Sequence, residues 1–193
     1  MKSSMKRLLS SIFAVALLLG SSSAFAQATN SESKPDGNVE APVKKIKVAD
    51  NMNFVLRDAL GEDVNFSTLL GKGPVLLNFW ALWCEPCKQE MKAFKAVADR
   101  LKSQGVTMVA INTDKVKSIA KVRAYVTTQE LDFPVLLDPD GGIARDIFAM
   151  ESLPYSLILH PDGTVYKRHV GYTAGDEVKT EEALTELVEK LKK

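Results

Sequence analysis

A near-continuous apolar run, Val75-Leu76-Leu77-Asn78-Phe79-Trp80-Ala81-Leu82-Trp83, leads straight into Cys84-Glu85-Pro86-Cys87, and a helical pattern begins at once. These are the only two cysteines of the chain. A buried strand that ends in Cys-x-x-Cys and opens a helix puts the first thiol at the helix N-terminus, where unpaired amides and the dipole favour a thiolate. Two cysteines so spaced close a small disulfide ring with little backbone movement. The pair therefore points to reversible dithiol–disulfide chemistry. A structural staple gains most from closing a long loop, and this one is short.

The remaining pattern builds an α/β domain around that strand. Asn53 to Asp58 and Val64 to Phe66 read as a hairpin turning at Gly61-Glu62-Asp63, with Ser67 as the cap of a short helical turn at Thr68 to Leu70. Met91, Phe94, Val97, Ala98 and Leu101 recur at helical spacing until Gly105, and Val106 to Ile111 is a second buried strand. A helix over Lys115 to Gln129 presents Val116, Ile119, Val122 and Val126, and Phe133 to Leu137 is a third strand. Strand, helix, strand, helix, strand implies parallel pairing with right-handed crossovers. Ile143 to Met150 reads as a short helix, Leu153 to Leu159 and Thr164 to Val170 as a hairpin, and Thr180 to Leu191 as a helix with Leu184, Leu187, Val188 and Leu191 on one face.

Lys2, Lys6 and Arg7, an apolar stretch from Leu8 to Leu19 and Ala24-Phe25-Ala26 form an export signal over residues 1–26, cleaved after Ala26. The apolar run is shorter than the roughly 17 residues that span a bilayer. An uncleaved membrane anchor is the alternative. Residues 27–49 are polar and Pro-containing and read as a flexible linker, leaving a single domain at 50–193. Without the three basic residues of the leader, 22 Lys and Arg face 24 Asp and Glu, so there is no case for nucleic-acid binding. Export would place the cysteines in an oxidising, periplasmic or other extracytoplasmic compartment.

The stretch from Asn78 to Lys88, with Leu153-Pro154 opening a hairpin some seventy residues on, resembles the thioredoxin superfamily, and within it the exported TlpA/ResA-like thiol-disulfide oxidoreductases. The resemblance covers residues 50 to 193. It implies a thioredoxin-like fold: a central mixed sheet flanked by helices, with the N-terminal hairpin and the helix-strand insertion of that branch. It also implies roles. Cys84 is the attacking thiol and Cys87 the buried resolving thiol. Pro154 matches the family's cis-proline, beside which the Leu153 backbone would bind an extended substrate. Glu90, one turn past Cys87, matches an acidic residue able to take the Cys87 proton if burial raises its pKa.

Trp83, Glu85, Pro86, Leu153, Pro154 and Tyr155 form the expected substrate groove. Glu85 is either a solvated turn residue or a charge that disfavours the Cys84 thiolate and makes the dithiol a better reductant. Asn78 stands where thioredoxin has a buried aspartate, which leaves proton acceptance to Glu90. Tyr155 replaces the usual Thr after the proline, and the Gly-Val and Pro-Glu signature of dedicated cytochrome c maturation members is missing. Trp80 is expected in the core and His169 on a strand, facing solvent.

The implied activity is reduction of disulfides in periplasmic proteins, within cell redox homeostasis and cytochrome c maturation. No cofactor beyond the redox-active disulfide is needed, and a membrane thiol-disulfide carrier would supply electrons, since no nucleotide-binding signature is present. Two alternatives stay open: a Cu(I)-binding metallochaperone, because soft thiolates hold Cu(I), and a peroxiredoxin-like thiol peroxidase. Zinc needs about four ligands, and no second cysteine pair exists.

Overall fold

A computed structural model describes residues 51–193. The export signal, the cleavage after Ala26 and the linker at 27–49 lie outside the described residues. The chain forms β1 (Val55–Asp58), β2 (Asp63–Asn65), β3 (Val75–Trp80), α1 (Glu85–Leu101), β4 (Thr107–Asn112), α2 (Ile119–Thr128), β5 (Val135–Leu137), β6 (Tyr155–Leu159), β7 (Val165–Val170) and α3 (Asp176–Leu191). The strands make one sheet in the order β2-β1-β5-β4-β3-β6-β7. β3, β4 and β5 pair in parallel, and β6, β7 and the β1–β2 hairpin join antiparallel. The expected mixed sheet with an N-terminal hairpin is present.

Strand parity divides the interior in two, because successive side chains point to opposite faces. Leu76 and Trp80 of β3, with Met108 and Ala110 of β4, face a cluster that holds Phe94 and Val97 of α1, Val122 of α2, and Leu184 and Leu187 of α3. Val75, Leu77 and Phe79 face the other way, into a cluster with Phe66, Val109, Ile111, Phe148 and Tyr155. All six β3 residues are buried, which accounts for the near-continuous apolar run. Each fully buried Leu, Val or Phe contributes about 1.5–3 kcal/mol. The polar strand residues of the helix-facing set, Asn78, Asn112 and Ser156, are the exceptions that mark the site.

Several boundaries differ from the sequence expectation, each for a local reason. The turn after β2 spans Phe66–Leu69 and is capped by Asn65, whose side chain accepts from Ser67 N and Ser67 Oγ, so Ser67 donates in the turn it was expected to cap. Regular helix starts at Ile119, after a tighter turn at Val116–Ser118 that leaves Val116 66% exposed. β5 begins at Val135, because Pro134 has no N–H and supplies only its carbonyl, to Ala110 N. The short helix at 143–150 is a five-residue π-helical turn, Ile143–Ile147. Asp138 Oδ2 accepts from Ala144 N there, and the wide turn buries both Ala144 and Phe148. α3 starts at Asp176, four residues before the apolar pattern does, behind Gly175 at φ +107° and with Asp176 and Glu177 in its first turn. Leu191, expected on the buried face, is exposed at the helix end.

Candidate active site

The loop between β3 and α1 is held from two sides. Leu82 N donates to Asp114 Oδ2 at 2.7 Å, and Asn112 Nδ2 donates to the same oxygen at 2.9 Å. Thr113 N reaches Trp80 O at 3.0 Å, so the end of β4 fixes the end of β3. Sequence reading missed Asp114, a buried carboxylate whose only linear signal is its place two residues after Asn112.

Cys84 is the N-cap of α1 and is joined to Cys87 by a disulfide, with the two Cα atoms 5.3 Å apart. Cys84 Sγ accepts from Cys87 N at 3.3 Å. In the dithiol state that amide and the helix dipole favour a Cys84 thiolate. Cys84 is 4% exposed and Cys87 fully buried, so of the two sulfurs Cys84 is the one nearer solvent. Pro86 is exposed in the first turn, where its missing N–H costs no hydrogen bond. Glu85 is exposed and pairs with Lys88 at 2.5 Å, which raises the Lys88 pKa. The Glu85 charge therefore does not stand alone beside Cys84, and Lys88 offsets the expected effect on the thiolate.

Behind the cysteines, Glu90 is fully buried one turn along the same helix face. Asn78 Nδ2 donates to Glu90 Oε2 at 2.6 Å, and Ser156 Oγ donates to Glu90 Oε1 at 2.8 Å. Asn78 Nδ2 also reaches Ser156 Oγ at 3.2 Å. Burial pushes the Glu90 pKa up from 4.5 to about 8; the Ser156 and Asn78 hydrogen bonds oppose this and Asp176 adds to it. A carboxyl so tuned can take or give a proton near neutral pH. Ser156 did not emerge from the sequence, because its link to Glu90 exists only through the pairing of β6 with β3.

The residues expected to line a groove do not share one environment. Trp83 stands 74% exposed beside Cys84. Leu153 is half-buried, Pro154 is buried, and the peptide between them is cis. Pro154 O accepts from Gly171 N at 2.8 Å, which fixes this corner to the end of β7. Tyr155 does not belong to the groove. Its partner across the sheet is Phe79, so it points to the face away from α1, is 1% exposed, and donates its hydroxyl to Phe148 O at 2.8 Å. Trp80 is in the core and packs on Tyr125, as expected.

His169 also departs from expectation. Its side chain is largely covered, its Nε2 has no hydrogen-bond partner, and Asp176 Oδ2 lies 3.6 Å away. The early start of α3 explains this, since Asp176 and Thr180 cover that end of the sheet. His160 sits near Tyr166 at the opposite end of the hairpin. Among the described residues no group of three or more His, Cys, Asp or Glu is gathered as for a metal ion, and no helix among them is long and apolar enough to cross a membrane.

Residues 48–168 match the model of the AhpC/TSA family. The thiol-disulfide oxidoreductase ResA of Bacillus subtilis is 40% identical over 119 residues, which are 62% of this chain and 64% of that protein, a little under two thirds of its length. ResA of Bacillus thuringiensis subsp. konkukian is 35% identical over 141 residues, 73% of this chain and 74% of that protein. The crystal structure of StoA from Bacillus subtilis superposes with a TM-score of 0.54 at 26% identity, covering 67% of this chain and 94% of that one.

Proposed function

Because the chain belongs to the AhpC/TSA family, and within it to the ResA-like thiol-disulfide oxidoreductases, we propose that it reduces disulfides of extracytoplasmic proteins through Cys84 and Cys87. The Cys84 thiolate attacks one sulfur of the substrate disulfide, forming a mixed disulfide and releasing the other sulfur as a thiolate. Glu90 takes the Cys87 proton, and the Cys87 thiolate attacks Cys84 Sγ. The second substrate thiol leaves and the Cys84–Cys87 disulfide forms. Two electrons have passed from the dithiol to the substrate. A membrane thiol-disulfide carrier restores them, and export by the leader places the domain beside that carrier. Trp83, Pro86, Leu153 and Pro154 bind the substrate chain. Apocytochromes c are one substrate class that fits this chemistry.

The observation that carries this reading is the buried Glu90 carboxyl one turn beyond a cysteine pair at a helix N-terminus. The test is the reduction potential of the Cys84–Cys87 couple in the mature domain, equilibrated against defined thiol buffers. A value near or below about −220 mV supports a reductase, and a value close to about −120 mV reverses the direction to thiol oxidation. Peroxide consumption, or tight Cu(I) binding with poor disulfide reduction, would replace the reading altogether.

A further inference from the structure

Glu90 is fully buried, so its proton reaches water through neighbouring groups. Asn78, Ser156 and His169 are consecutive register partners across β3, β6 and β7, Asn78 opposite Ser156 and Ser156 opposite His169. Directly opposed residues share a face of the sheet, so this polar row lies under α1 and α3. Ser156 bonds Glu90 at one end. At the other, a cavity of about 20 Å³ is lined by Ser156, Ile158, His169, Lys179 and Thr180. That volume has room for one water. The buried, unpartnered Nε2 of His169 and the 3.6 Å gap to Asp176 Oδ2 are what a bridging water would satisfy.

We propose that Ser156, one water and His169 form a proton path connecting buried Glu90 to solvent between β7 and α3. The Glu90 O–H donates to Ser156 Oγ, the Ser156 hydroxyl proton passes to the water, and the water protonates His169 Nε2. The imidazolium forms beside Asp176 and releases its proton to bulk, and the path runs equally in reverse. No electrons move. Lys167 and Arg168 of β7, Asp176 and Lys179 of α3, Tyr172 before α3 and Glu90 of α1 are the charged and titratable groups around this end. Desolvation holds His169 below its ordinary pKa, with Lys179 and Lys167 adding to this; Asp176 and the Gly171 backbone oppose it. His169 is therefore neutral and ready to accept at neutral pH. Ser156 and His169 touch no substrate; they are positioning residues for the proton of Glu90. The use of the path in catalysis rests on the base role proposed for Glu90 above.

The test follows the ¹³C-labelled Glu90 side-chain carboxyl by NMR across its titration in the oxidised mature protein, with Glu90→Gln assigning the resonance. Wild type should give one resonance that moves with pH. His169→Phe, which fills the cavity, should slow proton exchange by about tenfold or more and split the signal in two. His169→Gln should do the same while keeping a polar side chain in place, and it serves where the Phe variant does not fold. Added imidazole should return His169→Ala to a single moving resonance, which a merely structural role of His169 would not produce. Unaltered fast exchange in His169→Phe or His169→Gln, or a shifted midpoint without slower exchange, overturns the path. Disulfide-exchange rates of Glu90→Gln are measured alongside. If they match wild type while the NMR results stand, the path holds and the base role of Glu90 falls.

Discussion

Glu90 on α1 and Ser156 on β6, 66 residues apart in sequence, share a buried hydrogen bond of 2.8 Å. It joins the helix that Cys84 caps and Cys87 lies on to the strand that begins beside Pro154. The cysteine end of α1 and the strand that begins beside Pro154 are thus tied to one carboxyl.

That carboxyl makes stability depend on pH with a definite sign. Folded Glu90 titrates at about 8 against an ordinary 4.5, so between those values the native state holds a proton that the unfolded chain releases. Stability of the oxidised protein is therefore full below the ordinary value and is lost as pH rises towards 8, by a few kcal/mol in total. His169, whose pKa is depressed, has the opposite sign and acts only below its ordinary 6.5. Urea midpoints between pH 6.5 and 8.5 should fall for wild type and stay flat for Glu90→Gln. Parallel slopes would show that Glu90 is already ionised in the fold.

Removal of the buried thiol should stop the reaction halfway. Cys87→Ser leaves Cys84 free to attack but provides nothing to resolve the adduct, so a mixed disulfide with a model peptide accumulates and is weighed by intact-mass spectrometry. Cys84→Ser should bring exchange down to the uncatalysed background and form no adduct. Adducts on Cys87 in the Cys84→Ser variant would reverse the two roles.

Tyr155 should matter to stability and not to substrate. Tyr155→Phe strands the buried Phe148 carbonyl, at a cost of about 1–3 kcal/mol in denaturant unfolding. Its kcat/KM on a disulfide peptide should equal that of wild type. A fall in kcat/KM with unchanged stability would return Tyr155 to the groove.

Trp83 should show the converse. At 74% exposure, its replacement by Ala should change stability by less than about 0.5 kcal/mol, while KM for a peptide disulfide rises several-fold. An unchanged KM would mean that substrates dock without it.

The strand–Cys-x-x-Cys–helix unit was legible because every part of it is contiguous: Val75 to Trp80 reads as buried on both faces, and Met91, Phe94 and Leu101 set the helix phase. Asn78 and Glu90 were within reach because each lies a fixed number of residues from the cysteines. Ser156 and His169 were not, since their partners are chosen by strand register, which no local pattern encodes, and Asp114 was not, since its bond to Leu82 N depends on the ends of β3 and β4 lying side by side. Tyr155 was misread for the same reason. Parity within β6 alternates, and only the pairing with β3 decides which set meets α1. The ends of helices were misjudged at Val116 and Asp176, where turn chemistry rather than apolar spacing sets the boundary.

The polar row Asn78–Ser156–His169 also acts as a check on assembly. If β6 slipped by one residue against β3, Ser156 would turn to the opposite layer and Tyr155 or Leu157, according to the direction of the slip, would take its place beside Glu90, leaving that carboxyl buried without the Ser156 hydroxyl. The β-bulge between Ile158 and Leu159 confines the irregularity of the β6–β7 ladder to the end far from Ser156. Misthreaded chains would thus be disfavoured by the very carboxyl proposed to handle the proton, so a chain that folds in the wrong register lacks that constellation, and the correct fold arrives with it already built.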